Sequence, residues 1–339
     1  MSGADSLLAV EGLTKHFPVR GGLLNRQIAT VHAVDDVSFA LAKGETLGIV
    51  GESGCGKSTT ARLLMRLIEP DEGRVTVGGA TVGDGLSVRA LRRRMQMVFQ
   101  DSYASLNPRL TVEDTIAFGP KVQGAGDDAA RTKARDLLAK VGLDPNLFVR
   151  RYPHELSGGQ RQRINIARAL ALDPEILILD EAVSALDKSV EAQVLNLLLD
   201  LKAQLGLTYI FISHDLNVVQ YVSDRVMVMY LGQIVEIGPV ESIYGRARHP
   251  YTRALFSAMP SMDPDNRTME APLAGDPPNP IDPPAGCRFR TRCAFAESIC
   301  EGPPPPLAGA GSAHHLVACH MAREGSGHSR VGGQGWTHG

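Results

Sequence analysis

Residues Gly51 to Thr59 read GESGCGKST and fit the spacing G-x-x-x-x-G-K-S/T in full. Glycines at these positions let successive backbone N–H groups turn toward one anion, and the start of the following helix adds its dipole. In such a loop Lys57 reaches the β- and γ-phosphates of a nucleoside triphosphate, and the Ser58 hydroxyl binds Mg²⁺. ILILDE, Ile176 to Glu181, supplies carboxylates. An apolar strand ending in Asp180 gives the magnesium a second protein ligand, and Glu181 stands where it can orient the attacking water. Gln100 and His214 each follow an apolar strand, and the C-terminal ends of parallel strands line the ligand crevice, so both can reach the γ-phosphate. A plain glycine turn or an acidic strand end facing solvent would explain any one stretch alone. Their convergence favours the chemistry.

A second glycine pair stands in LSGGQ, Leu156 to Gln160. Ser157 and the amides of Gly158 and Gly159 open a helix and form another anion-binding helix start. Predicted helices from Thr111 onward separate it from the first loop, so the nucleotide it serves is one held by a second chain.

These groups must be positioned by strands and helices. Alternation in Leu7–Leu13 and Val34–Leu41 predicts short half-buried strands, with a glycine loop around Gly21 and Gly22. ETLGIVG, Glu45 to Gly51, is a buried strand running into the glycine loop, and Thr59–Ile68 continues as a helix. Strands are also predicted at Glu72–Gly79, Met95–Gln100, Glu175–Asp180 and Leu207–Ser213. Helical spacing marks Thr111–Arg168, with a long helix over Gly159–Leu172, and the apolar positions Val190, Val194, Leu197, Leu198, Leu201 and Leu205 place another helix over Lys188–Leu205. Alternating strands and helices imply an α/β fold with a mainly parallel sheet. VMVMYLGQIVEIG, Val226 to Gly238, closes it as strand, Leu-Gly turn and strand. From Pro239 prolines multiply, as in Pro277–Pro284 and Pro303–Pro306, which predicts a small loop-rich appendage. The glycine-rich end, residues 323–339, is expected to be disordered.

The bulk composition fits an ordinary globular chain: 339 residues, 43% hydrophobic, 21% charged and a formal net charge of −2. That balance argues against a nucleic-acid binder. No apolar run approaches the roughly 18 residues of a membrane span. MSGADSLLAVEGL lacks the basic start and apolar core of a signal peptide, so a cytoplasmic chain is expected.

Taken together, the Walker A loop GESGCGKST, Gln100 of the Q-loop, LSGGQ, the Walker B strand ILILDE, SALD (Ser184 to Asp187) and His214 resemble the nucleotide-binding subunit of an ABC transporter. The resemblance covers residues 7–238 and implies a P-loop fold with a RecA-like mainly parallel sheet, an antiparallel β subdomain and a helical subdomain. It implies a nucleotide-binding domain over 1–238, helical at about 101–170, a cysteine-containing extension over 239–322 and a tail over 323–339. FQDSYASLNPR, DEAVSALD and HPYTRALFSAMP are similar to the second, F-type ATPase subunit of dipeptide and oligopeptide importers. Ala182 departs from a frequent proline there and removes no catalytic group.

The resemblance implies an ATPase whose catalytic residues are Glu181, His214 and Gln100. Nucleotide contacts fall to Gly51, Glu52, Ser53, Gly54, Cys55, Gly56, Lys57, Ser58 and Thr59, with Gln100 and Asp180. Magnesium falls to Ser58, Gln100 and Asp180, and adenine stacking to Phe17. Ser157, Gly158, Gly159, Gln160 and Asp187 would meet the partner's ATP. Implied partners are a second ATPase subunit, a D-type sister favoured over an identical chain, two transmembrane permease subunits met by Asp101–Pro120, and an extracytoplasmic solute-binding protein. The chain would then be peripheral on the cytoplasmic face of the bacterial inner membrane. A soluble ABC ATPase of DNA repair or of the ribosome is the competing function. The first carries a very long coiled coil between the Walker motifs and the second two ATPase domains per chain, and neither feature is in the sequence. A redox-sensing regulator acting through the cysteines is a third possibility.

Cys287, Cys293, Cys300 and Cys319 have five, six and eighteen residues between them and lack a tight zinc-type pair. Four thiolates suit an iron–sulfur cluster, and Arg288, Arg290 and Arg292 are expected to offset its charge. The tail of the importer family resembles this one, which implies a 4Fe–4S cluster; zinc or unmetallated thiols remain as alternatives. His314, His315 and His320 are alternative ligands, read first as an exposed polar loop.

Overall fold

The computed structural model describes residues 6–21, 25–259, 279–312 and 314–331. Readings that rest on the first five residues, on Gly22, on Pro260, on Pro277 and Pro278, and on residues 332–339 lie outside the described residues. The first elements are β1 (Ser6–Gly21), β2 (Arg26–Ala42), β3 (Thr46–Val50), α1 (Lys57–Leu64), β4 (Glu72–Val77), β5 (Ala80–Val82), β6 (Gly85–Leu86), α2 (Val88–Arg94) and β7 (Met95–Val98). Next come α3 (Val112–Val122), α4 (Asp127–Lys140), α5 (Pro145–Phe148), α6 (Gly158–Leu170), β8 (Ile176–Asp180), α7 (Lys188–Leu205) and β9 (Thr208–Ile212). The chain continues through α8 (Leu216–Val222), β10 (Arg225–Tyr230), β11 (Gln233–Pro239), α9 (Val240–Arg246), α10 (Pro250–Ser257), β12 (Ala308–Ser312) and β13 (His315–Val317).

The chain forms two compact units, Met1–Leu8, Leu41–Thr46 and Thr76–Ser213 in the first, Ala9–Ala40, Leu47–Val75 and His214–Gly339 in the second. In the first unit β7, β8 and β9 run parallel, with Met97 beside Ile178 and Ile178 beside Ile210. Every residue of β8 and β9 is buried, as strands covered on both faces require. The helices pack on one another, α3 against α4 and α6, and α6 against α7 and β7. Thr111 caps α3 by accepting from the Asp114 N–H at 3.2 Å, and Gly206 ends α7 at φ 65°. No described helix is long and apolar enough to cross a membrane.

In the second unit β3 runs parallel to β10, and β10 turns back antiparallel into β11. The turn residues Leu231 and Gly232 both have positive φ, 44° and 83°, the backbone of a tight hairpin that matches strand twist. β1 and β2 continue well past the apolar alternation that marks their cores, because the polar residues beyond Leu13 pair as partly exposed sheet. The expected separate appendage joins the sheet: β13 pairs with β11, Glu236 opposite Val317 and Ile237 opposite Leu316, and β12 pairs with β13. Nor is the start of the glycine-rich tail free chain. His328 is buried with Nε2 at 3.0 Å from the Phe295 carbonyl, and the Ser329 N–H donates to Glu297 at 3.1 Å.

In the helical unit a buried carboxylate, Glu113 of α3, accepts from Arg131 Nη1 at 2.5 Å and Arg135 Nε at 2.7 Å, both on α4. Burial pushes its pKa up from the ordinary 4.5, but the two guanidiniums outweigh that and leave it lowered. A depressed carboxylate contributes stability above its unfolded value and loses it as pH falls through the folded one. Glu113→Gln should therefore cost about 1–3 kcal/mol at neutral pH, and the deficit should close as the pH drops below 4.5. Urea unfolding followed by circular dichroism at several pH values measures it.

Candidate functional site

The phosphate loop lies where sequence places it, between buried β3 and α1. Its conformation is set by close backbone packing. A Cβ on Gly51 (φ 148°) would overlap the Met229 carbonyl oxygen, and one on Gly56 (φ 106°) the Ala33 carbonyl oxygen. Gly56 caps α1 in a left-handed conformation and, as a glycine, offers the first turn no side-chain cap of its own. Lys57 is only 6% exposed, and its Nζ donates to the carbonyls of Gly51 at 2.7 Å and Glu52 at 3.0 Å. Cys55 is buried, and burial pushes its thiol pKa up against the pull of Lys57. Ser53 and Gly54 are exposed, Glu52, Ser58 and Thr59 half-buried. Phe17 is half-buried on β1, with Lys15 Nζ 5.5 Å from its ring centre.

The predicted acidic strand end is part of the first unit. β8 ends in Asp180, 3% exposed. Glu181 follows with φ 49°, a left-handed backbone that a glutamate adopts only when held. Its N–H donates to the Ile212 carbonyl at 2.9 Å, and its carbonyl accepts from Ser184 Oγ at 3.0 Å. Gln100 Nε2 donates to Glu181 Oε2 at 2.8 Å, so two predicted residues meet side chain to side chain. His214 is exposed just past β9.

At LSGGQ, Ser157 Oγ accepts from the Gln160 N–H at 3.3 Å while Gln160 Oε1 accepts from the Ser157 N–H at 3.0 Å, a closed capping box at the start of α6. Asp187 is the exposed N-cap residue of α7. The two glycines differ. A Cβ at 158 would make only ordinary contact, 3.6 Å from Leu186 Cδ2, whereas one at 159 would lie 2.5 Å from Val190 Cγ1 of α7.

Cys287, Cys293, Cys300 and Cys319 line one cavity with Phe289, Phe295 and Met321. Burial pushes the thiol pKa values of Cys287, Cys293 and Cys319 up, to about 11 for Cys293 and about 12 for Cys319, and neighbouring cysteines add to it. Thiols in that state lose protons together only when a cation takes up the charge. A tetrahedral zinc would hold its sulfurs about 3.8 Å apart, and among the described residues no three cysteine sulfurs lie within 4.8 Å of one another.

Two expectations about this region hold only in part. Arg288 and Arg292 do not turn toward the cysteines: Arg288 donates to Asp35 and to the Leu231 carbonyl, and Arg292 forks onto Glu52. Arg290 does stay with the cysteines: it lines their cavity and its charge pulls the Cys287 pKa down, while its Nε donates to the Ala285 carbonyl at 2.9 Å. The histidines are not all exposed loop either. His314 is exposed, but His315 is 4% exposed with Nε2 at 2.7 Å from Glu236, and His320 lines the cysteine cavity half-buried. Sequence reasoning missed Tyr251, a residue of the HPYTRALFSAMP stretch whose hydroxyl accepts from the Glu52 N–H at 2.9 Å. It also missed His16, His32 and Asp35, whose ligating atoms lie within 4.8 Å of one another. Arg288 already neutralises that carboxylate and, after burial and His16, lowers the His32 pKa.

A family model described as ABC transporter matches residues 34–184, and one described as oligopeptide/dipeptide transporter, C-terminal region, matches residues 235–300. The chain is 52% identical over 324 residues to a probable peptide ABC transporter ATP-binding protein, y4tS, of Sinorhizobium fredii, covering 94% of this chain and 90% of that one. It is 48% identical over 324 residues to the oligopeptide transport ATP-binding protein AppF of Bacillus subtilis, covering 94% and 98%. Among solved structures it is similar to the dimeric post-hydrolysis state of the ATP-binding cassette MJ0796 bound to ADP and Pi, with a TM-score of 0.59, 27% identity and coverage of 69% of this chain and 98% of that chain.

The Val190 contact gives Gly159 a role inside the chain, and its substitution a sign that can be reversed. Gly159→Ala should destabilise by about 1–2 kcal/mol through overpacking. In a Val190→Ala background the same change should become neutral or stabilising, because alanine is the better helix former by about 1 kcal/mol. Thermal unfolding of the four proteins decides it.

Proposed function

The chain belongs to the ABC transporter ATP-binding proteins of peptide import systems, and from that membership we propose how its residues divide the work. It is the ATP-binding subunit of a peptide or oligopeptide importer, and an ATPase. Lys57 and the amides of Gly51 to Thr59 take the triphosphate, and Phe17 stacks on the adenine. Ser58, Asp180 and Gln100 hold Mg²⁺, which neutralises charge on the β- and γ-phosphate oxygens. Glu181 orients the attacking water, Gln100 fixes its carboxylate, and His214 reaches the γ-phosphate. The observation that carries this division is the 2.8 Å hydrogen bond from Gln100 to a Glu181 held in a left-handed conformation at a strand end.

A sister D-type subunit would pair with this F-type chain, each offering its Ser157, Gly158, Gly159 and Gln160 positions, with Asp187 beside them, to the other's nucleotide. The similar cassette MJ0796 is dimeric in its post-hydrolysis state, which supports the pairing. ATP-driven closure would then move two transmembrane permease subunits, fed by an extracytoplasmic solute-binding protein, with this chain peripheral on the cytoplasmic face of the inner membrane. The boundaries 1–238, 239–322 and 323–339 serve as functional divisions in this scheme, although Glu236 of β11 already ties the second to the first.

Cys287, Cys293, Cys300 and Cys319 hold a 4Fe–4S cluster, supported by their shared cavity. Chemical analysis of anaerobically purified chain should find about four iron and four acid-labile sulfide per chain, and Cys293→Ser should lose both; zinc alone in stoichiometric amount would refute it.

Glu181→Gln should lower phosphate release by the assembled transporter about a hundredfold or more while the subunit still binds MgATP. Hydrolysis within a few-fold of wild type would show that another group activates the water.

A further inference from the structure

A carboxylate sits inside the anion-binding loop. Glu52 follows Gly51 directly, among the amides and the ammonium that gather phosphate charge. A second negative group there opposes a triphosphate unless it is neutralised. The neutralising group comes from the cysteine-rich extension. Arg292 Nη1 lies 2.7 Å from Glu52 Oε2 and Nη2 3.1 Å from Oε1, a two-pronged fork, and the arginine side chain is only 6% exposed.

Glu52 is also held by its backbone. Its N–H donates to the Tyr251 hydroxyl at 2.9 Å, and its carbonyl accepts from Lys57 Nζ at 3.0 Å and from the Cys55 N–H at 3.3 Å. The groups that do this are themselves fixed. Tyr230, Tyr251 and Phe289 form an aromatic cluster with ring centres 4.6 to 5.4 Å apart, and Tyr230 lends its hydroxyl to Arg292 at 3.5 Å. Arg288, one residue before Phe289, donates to the carbonyl of Leu231 in its positive-φ turn, and the next residue, Gly232, donates its N–H to the Cys55 carbonyl at 2.9 Å. The extension thus touches the loop directly at Glu52 and, at Cys55, only through the Leu231–Gly232 turn.

We propose that Arg292 is a positioning residue for ATP binding, acting through Glu52: it cancels the carboxylate inside the phosphate loop and, with Tyr251, fixes the loop's first turn. The inference rests on the reading of Gly51–Thr59 as the ATP site and assigns the extension a part in nucleotide affinity. Residue 293 is a cysteine of the shared cavity, so the arginine is positioned by the same short turn that presents that thiol.

The test is a double-mutant cycle on the full-length chain, with MgATP affinity read by titration calorimetry. Arg292→Met should weaken MgATP binding about tenfold when residue 52 is glutamate and less than about threefold in a Glu52→Gln background. Equal losses in both backgrounds would mean that Arg292 only supports the fold, and no loss in either would mean that the fork does not matter; each overturns the proposal. Should Arg292→Met fail to fold, Arg292→Lys runs the same cycle, keeping the charge but not the fork. A smaller cost beside the native Glu52 that disappears in the Glu52→Gln background sustains the proposal, and an equal cost in both refutes it. Lys57→Ala checks the nucleotide site by itself. A wild-type chain that binds no MgATP overturns both, whereas tight wild-type binding abolished by Lys57→Ala, with no Arg292 effect, overturns only the inference.

Discussion

The phosphate loop is fixed by backbone lying on backbone. Gly51 passes the Met229 carbonyl and Gly56 the Ala33 carbonyl with no room for a methyl group, and Gly232 is pressed as closely by His32 and Ala33. The middle of β2 and the end of β10 therefore cast the shape of the loop, and the glycines are demanded by that contact as much as by their positive φ values. The uncapped helix start and the inward lysine follow from it. With Gly56 in a left-handed conformation, α1 begins without a side-chain cap from its own N-cap residue. A buried ammonium remains tolerable because loop carbonyls surround it.

Charge on the extension side obeys the same rule. Glu236 is fully buried on β11, and such a carboxylate survives only with partners. It has three: the N–H groups of Arg248 and His249, at 2.6 and 3.0 Å, and His315 Nε2 at 2.7 Å. One pair introduces α10, where His249 serves as N-cap, and the third belongs to β13. His249 is itself pushed down to about 4 by burial, so it stands neutral with Nδ1 accepting from the Tyr251 N–H at 3.1 Å. The chain that places Tyr251 against Glu52 is thus tied to Glu236 and, through His315, to the strand that joins the extension to the sheet.

Patterns whose physics is local could be read from sequence. The buried runs of β3, β8 and β9, the period of α7 and the Leu-Gly turn each encode their own conformation, and so do the spacing of GESGCGKST and the strand-end position of Glu181. What could not be read is where long side chains go. Arg288 and Arg292 stand beside cysteines in sequence, and proximity along the chain suggests a shared charge; their actual partners, Asp35 and Glu52, are more than two hundred residues away. The same holds for His315, polar in a proline-rich stretch yet buried because a carboxylate on β11 requires it. Glycine counts mislead in residues 323–331, where His328 and Ser329 find partners near Glu297 that composition cannot reveal.

The paired glycines of LSGGQ mark where packing within one chain stops explaining a residue. Ser157 and Gln160 each give an acceptor oxygen to capping their own helix, and Gly159 is required by Val190 of α7. Position 158 differs, since a methyl group there would meet only Leu186 at an ordinary 3.6 Å, and its helical start asks for no positive φ. Packing within the chain gives no reason for glycine at that place. The residue also costs helix stability relative to alanine, about 1 kcal/mol in a helix interior. The proposed pairing would account for it: a triphosphate bound to a paired subunit would meet bare backbone N–H groups at the positive end of α6, where a side chain would hold it off.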